Sequence, residues 1–476
     1  MENKNEIKCE IYKKCSGCQL MNLDYQSQLA LKQKTIKELL GKFDHVNKII
    51  PMENPYHYRN KVQSVMRFDT RTKRAYTGIF QSTRNAVIPA KECLIEDELL
   101  HRITGTVLRL CKRLSIPVCD YKGKGFLKSV SLRYAFATGE VMLTLISTSD
   151  RFPQSEDFVS RIRKAHPEIK TIVLNINPNG IPLTFGNKEK ILFGDGYITD
   201  ILCNKTFRIS PQSFYQINPV GTEILYSKAI EFASLKGTET VVDAYCGIGT
   251  IGICASDKIK RLIGIEQNAS AVRDANINAE LNNIQNAEFF CGDSGEIMQK
   301  IENSGVKIDV VFMDPARAGA DRRFLNALRS VAPEKIVYIS CNPETLARDL
   351  SYLSKDYRIT KIQPVDMFPM TKHIETVILL SRKTPDAIIE IDLEMSELDL
   401  TRAESKATYK EIEEYVQNKY GLHVTNLYIA QVKREFGIIE RINYNVGEGK
   451  NRVPKVTLEK REAIIDALKY FQMIEA

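Results

Sequence analysis

Apolar positions change their spacing along the chain, and the changes mark its parts. The stretch Tyr25–Leu40 carries them at helical spacing. From about residue 50 to 205 the pattern is strand-like. The run 129–134, a turn at Thr138-Gly139 and the run 141–146 predict a hairpin, and 171–176 predicts a further strand. After about Phe207, short β-branched runs at 240–243, 261–265, Val310–Met313 and 335–339 alternate with helical stretches. That alternation predicts a doubly wound α/β domain with a mostly parallel sheet, closing near Arg382. Residues 385–405 hold seven acidic residues and one Arg and read as a linker. Beyond it Tyr409, Ile412 and Val416 share a helical face, Gly421 follows, and Thr425 is placed to cap a second helix running to Phe436. The expected division is 1–48, 49–206, 207–384, the linker 385–405 and a helix-turn-helix-like end, 406–476.

Composition refines this only a little. The 476 residues are 43% hydrophobic, enough for a sizeable core, and carry a net charge of +8. The charge suits a polyanionic partner without singling one out. The N-terminus is polar and no run approaches the ~18 apolar residues of a membrane span, so a cytoplasmic protein with no membrane partner is expected. In that reducing compartment the eleven cysteines point to metal or catalysis rather than disulfides.

Two blocks carry chemistry. Residues 241–252, V-V-D-A-Y-C-G-I-G-T-I-G, read as a strand, a glycine turn and a helix start. Glycines let backbone approach a ligand where a Cβ would clash. Seventeen residues after Gly249 a second strand ends at Glu266, whose carboxylate can accept both hydroxyls of a ribose. A third strand is expected after Cys291-Gly292-Asp293, with these residues meeting the adenine. The turn is D-x-x-C-G-x-G-x-x-G rather than the dinucleotide pattern, which suits S-adenosylmethionine, a cofactor without a pyrophosphate.

The second block is V-F-M-D-P-A-R, 311–317, followed by V-Y-I-S-C-N-P-E-T, 337–345. Asp314 and Cys341 each follow a strand and would face the crevice at its carboxyl end. A strand-end cysteine alone is most often an inert buried thiol. With a base beside it, it can add to C6 of uracil and so activate C5 towards a methyl donor; the base then removes the C5 proton. Glu375, just before the apolar strand 376–380, can supply that base, and Arg317 can hold an oxygen or phosphate.

S-P-Q-S-F-Y-Q-I-N at 210–218, the D-A-Y-C-G-I-G-T turn, M-D-P-A-R, S-C-N-P-E-T and H-I-E-T together resemble the RNA uridine-5-methyltransferase family, over roughly residues 9 to 382. The resemblance implies a Rossmann-like class I methyltransferase domain, preceded by a strand-rich α+β domain that binds RNA and followed by a small helical domain. It implies cofactor contacts from Gln216, Tyr245, Glu266 and Asp314, with Cys341 as nucleophile and Glu375 as proton acceptor. Ala316 departs from the family, which usually has a second proline there.

Cys9, Cys15, Cys18 and the distant Cys93 form a candidate thiolate set for zinc or an iron–sulfur cluster, between which spacing does not choose. The ribosomal-RNA branch of the family carries a 4Fe-4S cluster on this pattern, so the resemblance favours the cluster and 23S ribosomal RNA. Transfer RNA, or a non-catalytic RNA-binding or redox-sensing member of the fold, are the alternatives. The family's frequent N-terminal RNA-binding barrel is expected to be missing, since eight residues precede Cys9. Tyr56, Tyr58, Arg59, Lys61, Arg67, Arg71, Lys73 and Arg74 mix aromatics and cations that suit RNA, or simply a solvated strand face. The C-terminal segment is a second candidate contact, although its 12 basic and 10 acidic residues lend it little charge. No obligate protein partner is expected.

Overall fold

The computed structural model describes residues 9–15, 17–81, 86–90, 92–179, 181–383, 407–436, 438, 456–471 and 473–474. The acidic stretch expected to be a linker lies outside them. The chain forms two compact units, Met1–Thr384 and Pro385–Ala476.

The first unit opens with helix α1, Tyr25–Leu40, capped by the Asp24 carboxylate on Ser27 N. A seven-stranded sheet follows, built from β1 (Lys61–Asp69), β2 (Arg74–Phe80), β3 (Val87–Pro89), β4 (Leu127–Tyr134), β5 (Val141–Ser147), β6 (Ile169–Ile176) and β7 (Lys188–Phe193). Its order is β3-β2-β1-β4-β5-β6-β7, antiparallel except for the β5–β6 pair. The expected hairpin is β4–β5, with Arg133 opposite Met142. Helices α2 (Glu98–Arg113) and α3 (Ser155–Ala165) bury Val107, Phe158 and Ile162 against one face, beside Leu132 and Leu143 of the sheet. Loop residues cover the other: Asn177 O accepts from Lys128 Nζ at 2.6 Å and Leu183 O from Gln63 at 3.4 Å. The middle strands are therefore buried on both sides; β5, V-M-L-T-L-I-S, is a nearly continuous apolar run, whereas β4, L-K-S-V-S-L-R-Y, also buries polar side chains that bond to the covering loops.

A short hairpin, β8 (Ile198–Leu202) and β9 (Lys205–Ile209), leads through 210–218 into α4 (Pro219–Ala233). The α/β alternation then appears as β10 (Thr240–Ala244), α5 (Thr250–Ala255), β11 (Arg261–Glu266), α6 (Ala269–Leu281), β12 (Ala287–Cys291), α7 (Ser294–Asn303), β13 (Val310–Met313), α8 (Arg322–Val331), β14 (Lys335–Ser340), α9 (Pro343–Leu353), β15 (Tyr357–Val365) and β16 (Glu375–Arg382). The sheet order is β12-β11-β10-β13-β14-β16-β15. Strands β10 to β14 are mutually parallel; β16 runs antiparallel to β14 and to β15. The α/β class is as expected, with a mixed sheet. One local expectation fails: Cys291-Gly292-Asp293 ends strand β12 instead of leading into one, and Asp293 caps α7. The run 287–291, A-E-F-F-C, is only five residues long, and so short an apolar run does not by its period distinguish a strand from a helix segment. Helix α1 packs Leu29, Ile36 and Leu40 into the same core as Leu346, Leu350 and Ile362.

The second unit has helices Tyr409–Tyr420, Asn426–Glu435 and Leu458–Tyr470. The first is closed by a Thr408–Glu411 capping box and by Gly421 at φ 68°. Thr425 occupies the N-cap of the second, which ends one residue before Phe436. Ile412, Val416, Ile429, Val432, Ile464 and Leu468 form a separate core.

Candidate active site

Parallel strands all end on one side of a sheet, and a crevice opens there. Four ends matter here: Ala244 pairs with Ile265 and with Met313, and Met313 with Tyr338. Glu266, Asp314 and Cys341 therefore emerge along one edge. Strand β16 is antiparallel, so its first residue, not its last, lies at that edge; Ser340 pairs with Thr376, and Glu375 precedes it.

The turn after β10 wraps tightly. Tyr245, Gly247 and Gly249 have φ of 63°, 56° and 83°, the left-handed region. A Cβ at Gly249 would lie 2.9 Å from the Ile253 side chain and 3.0 Å from that of Phe289, and at φ 83° any side chain would strain the backbone, so glycine is favoured. Asp243, buried below, accepts from Gly252 N at 2.8 Å. Glu266 braces the turn, accepting from Gly247 N at 3.1 Å, while its other oxygen accepts from Asn268 N at 2.7 Å.

The D-P-A-R and C-N-P-E-T blocks lock together. Arg317 O accepts from Asn342 Nδ2 at 3.1 Å and from Thr345 Oγ1 at 3.3 Å. Asn342 also caps α9, and Pro343 begins it. These contacts give the motif residues around Cys341 a local structural job.

A cavity of about 650 Å³ results, and Gln216, Tyr245, Glu266, Asp314, Cys341 and Glu375 all line it. The volume is that of a small-molecule site. Burial pushes the Asp314 carboxyl up to about 7. Burial, then the nearby Asp314, push Glu375 up to about 8. Burial also pushes the Cys341 thiol up to about 11, with Glu375 and Asp314 adding to the rise and Arg317 opposing it. The site is thus a set of poorly compensated carboxyl groups, suited to a cationic ligand. The Tyr245 hydroxyl is buried without a hydrogen-bond partner among the described residues. A sulfonium cofactor with an adenosine fits both features.

Phe214, Phe368 and His373 also line the cavity, and sequence reasoning assigned them no role. His373 stands edge-on to Phe368, ring centres 6.4 Å apart, and burial and Arg317 hold it below its ordinary pKa. Its signal was the H-I-E-T motif, in which only the glutamate was read.

Cys9, Cys15, Cys18 and Cys93 line a second cavity of about 580 Å³, together with Arg59, Glu96 and His101. None of the four is in a disulfide. Burial and the neighbouring thiols push Cys18 up to about 12. The tightest group of metal-ligating atoms among the described residues is Cys93, Glu96 and His101, within 4.8 Å of one another. His101 Nε2 lies 2.9 Å from Glu96. Of the aromatic and basic set at 56–74, Tyr58 is buried, whereas Arg71, Lys73 and Arg74 are exposed. No described helix is long and apolar enough to cross a membrane.

Comparison with known proteins places the chain in a family. The family model described as tRNA (Uracil-5-)-methyltransferase matches residues 24–383. An uncharacterized RNA methyltransferase of Clostridium tetani is 39% identical over 385 residues, 80% of this chain and 83% of that protein. A counterpart in Halalkalibacterium halodurans is 40% identical, covering 79% and 84%. The crystal structure of Pyrococcus abyssi tRNA (uracil-54, C5)-methyltransferase with S-adenosyl-L-homocysteine superposes with a TM-score of 0.66 at 29% identity, over 77% of this chain and 86% of that one. The chain therefore belongs to the tRNA (uracil-5-)-methyltransferase family and is an S-adenosylmethionine-dependent RNA (uracil-5-)-methyltransferase.

Proposed function

We propose that Cys341 attacks C6 of a uridine in RNA and that Glu375 removes the C5 proton. The observation that carries this reading is the opposed polarity of β14 and β16, which brings a strand-end cysteine and a strand-start glutamate to one cavity. The Cys341 thiol gives its proton to solvent, its sulfur bonds to C6, and the C5–C6 π pair passes to C5 as an enolate. The Arg317 cation acts on that thiol and favours its ionisation. Gln216, Tyr245, Glu266 and Asp314 would hold S-adenosylmethionine, which would supply the methyl group to C5 and leave as S-adenosylhomocysteine. Glu375 as carboxylate accepts the C5 proton, the electron pair re-forms the C5–C6 double bond, and the Cys341 thiolate leaves. The uridine must leave its stack to reach the cavity. Trapping of RNA containing 5-fluorouridine tests this, because fluorine in place of the C5 proton blocks release. A stable protein–RNA adduct is expected, and its absence would overturn the mechanism.

The favoured substrate is 23S ribosomal RNA, and the favoured compartment the cytoplasm. The support is the cysteine set, read as holding a 4Fe-4S cluster. All four cysteines line one cavity, as a shared centre requires. Transfer RNA is the second reading, favoured by the Pyrococcus abyssi neighbour, which is a tRNA (uracil-54, C5)-methyltransferase. Mapping 5-methyluridine in ribosomal and transfer RNA from a deletion strain separates the two: the fraction that loses the base is the substrate.

A further inference from the structure

Residues 366–374 join β15 to β16 as an irregular loop. Phe368 and His373 of this loop line the cavity, and Glu375 follows directly. Val365 and Glu375 pair across its base. A nine-residue connection of this kind would ordinarily be mobile. Here its backbone is held from outside at successive residues. Met367 O accepts from Asn218 Nδ2 at 2.7 Å, Phe368 O from Lys32 Nζ at 3.0 Å, Pro369 O from the Tyr58 hydroxyl at 3.0 Å, and Met370 O from Leu20 N at 3.0 Å. Gln28 Oε1 accepts from Met370 N at 2.8 Å.

Two features show that this is a specified geometry rather than general packing. Met370 has φ 66°, a left-handed conformation that non-glycine residues adopt at a cost and keep only where their surroundings over-determine it. Lys32 is 1% exposed and pairs at 2.5 Å with Asp366, itself fully buried. A buried pair of this kind adds little net stability, because desolvation offsets most of the attraction, and an apolar pair would hold the helix as well. What an apolar side chain would not supply is the bond from Lys32 to the Phe368 carbonyl. Lys32 and Gln28 both lie on α1, one helical turn apart.

We propose that Lys32, assisted by Gln28, is a positioning residue for proton removal: α1 sets the 366–374 loop, and the loop sets the Glu375 carboxylate against the substrate ring. The proposal rests on the reading that Glu375 takes the C5 proton. Cys341 is outside this network, because its surroundings are fixed by the Asn342 and Thr345 contacts to Arg317. Loss of Lys32 therefore separates the two chemical steps. Attack and methyl transfer proceed, whereas proton removal slows.

The test uses the full-length chain with Lys32→Met, and with Lys32→Met/Asp366→Leu so that no unpaired buried carboxylate remains. On 5-fluorouridine RNA, adduct formation stops before proton removal, and both variants should match wild type. On uridine RNA, kcat should fall roughly 10- to 100-fold, the loss expected from a misplacement of about 1 Å. KM for RNA and cofactor affinity should hold, and a covalent adduct with uridine RNA should accumulate. Wild-type turnover in the double variant overturns the proposal, as does a parallel fall of adduct formation and turnover. A wild-type protein that makes no 5-methyluridine overturns the underlying reading, and the inference with it.

Discussion

Ser340 stands opposite Thr376 in the antiparallel β14–β16 pair, so Cys341 and Glu375 leave neighbouring strands at the same sheet edge. This relationship makes a two-step reaction testable one residue at a time. Cys341→Ala should abolish both methylation and the 5-fluorouridine adduct while leaving cofactor affinity intact, because the side chain is half-buried and little packing is lost. Isothermal titration with S-adenosylhomocysteine and an RNA methylation assay read the two effects. Residual methylation would remove Cys341 as nucleophile.

The carboxyl groups give a pH dependence with opposite signs for stability and activity. Glu375 rises from 4.5 to about 8 and Asp314 from 3.8 to about 7 on folding. The folded protein then binds more protons than the unfolded chain between those limits, so ligand-free stability is full below about pH 4 and declines as pH rises through about 8. Glu375→Gln should flatten that decline in thermal melts. Activity needs the carboxylate, so kcat/KM should rise with pH through about 8. A profile falling over that range would exclude Glu375 as the base.

Glu266 both braces the glycine turn at Gly247 and faces the cavity. Removing a charged acceptor typically costs about 1.5–3 kcal/mol, so Glu266→Ala should weaken cofactor binding by roughly 10- to 150-fold. Unchanged affinity in a titration would place the ribose elsewhere.

Protein purified without oxygen should contain about four iron and four sulfide per chain, if the four-cysteine cavity holds the cluster. Cys18→Ser should lower both. Stoichiometric zinc without iron would replace the cluster with a zinc site.

The second unit carries its own core, centred on Ile412, Val432 and Ile464. A chain ending at residue 384 should therefore keep cofactor affinity, since Cys341, Glu375 and every proposed cofactor contact lie in the first unit. Its RNA affinity should drop in a filter-binding assay. RNA affinity and site choice equal to the full chain would deny the C-terminal helices a part in recognition.

Local pattern was enough for the elements whose chemistry is local. The 129–134 and 141–146 runs pair as a hairpin because a turn at Thr138-Gly139 joins them. Thr425 and Gly421 mark helix ends through backbone groups within a few residues. The misplacement of Cys291-Gly292-Asp293 has the complementary cause: β12 is a five-residue edge strand held by one neighbour, and its short apolar run has no period that marks it as a strand. His373 and Phe368 escaped notice because a cavity wall has no sequence period.

By itself the sequence determined that Glu266, Asp314 and Cys341 stand at strand ends, where glycine must supply left-handed backbone, and which motifs resemble the uracil-5-methyltransferases. Those properties depend on neighbours a few positions away. Only the tertiary structure decided that β16 inserts between β14 and β15 in reverse, that Cys93 joins Cys9, Cys15 and Cys18 around one cavity, and that Lys32 reaches Asp366 across more than three hundred residues. These are long-range pairings, selected by burial of the whole core and by the pairing of polar groups inside it. They place Glu375 at the edge where Cys341 emerges, an arrangement that no local window contains.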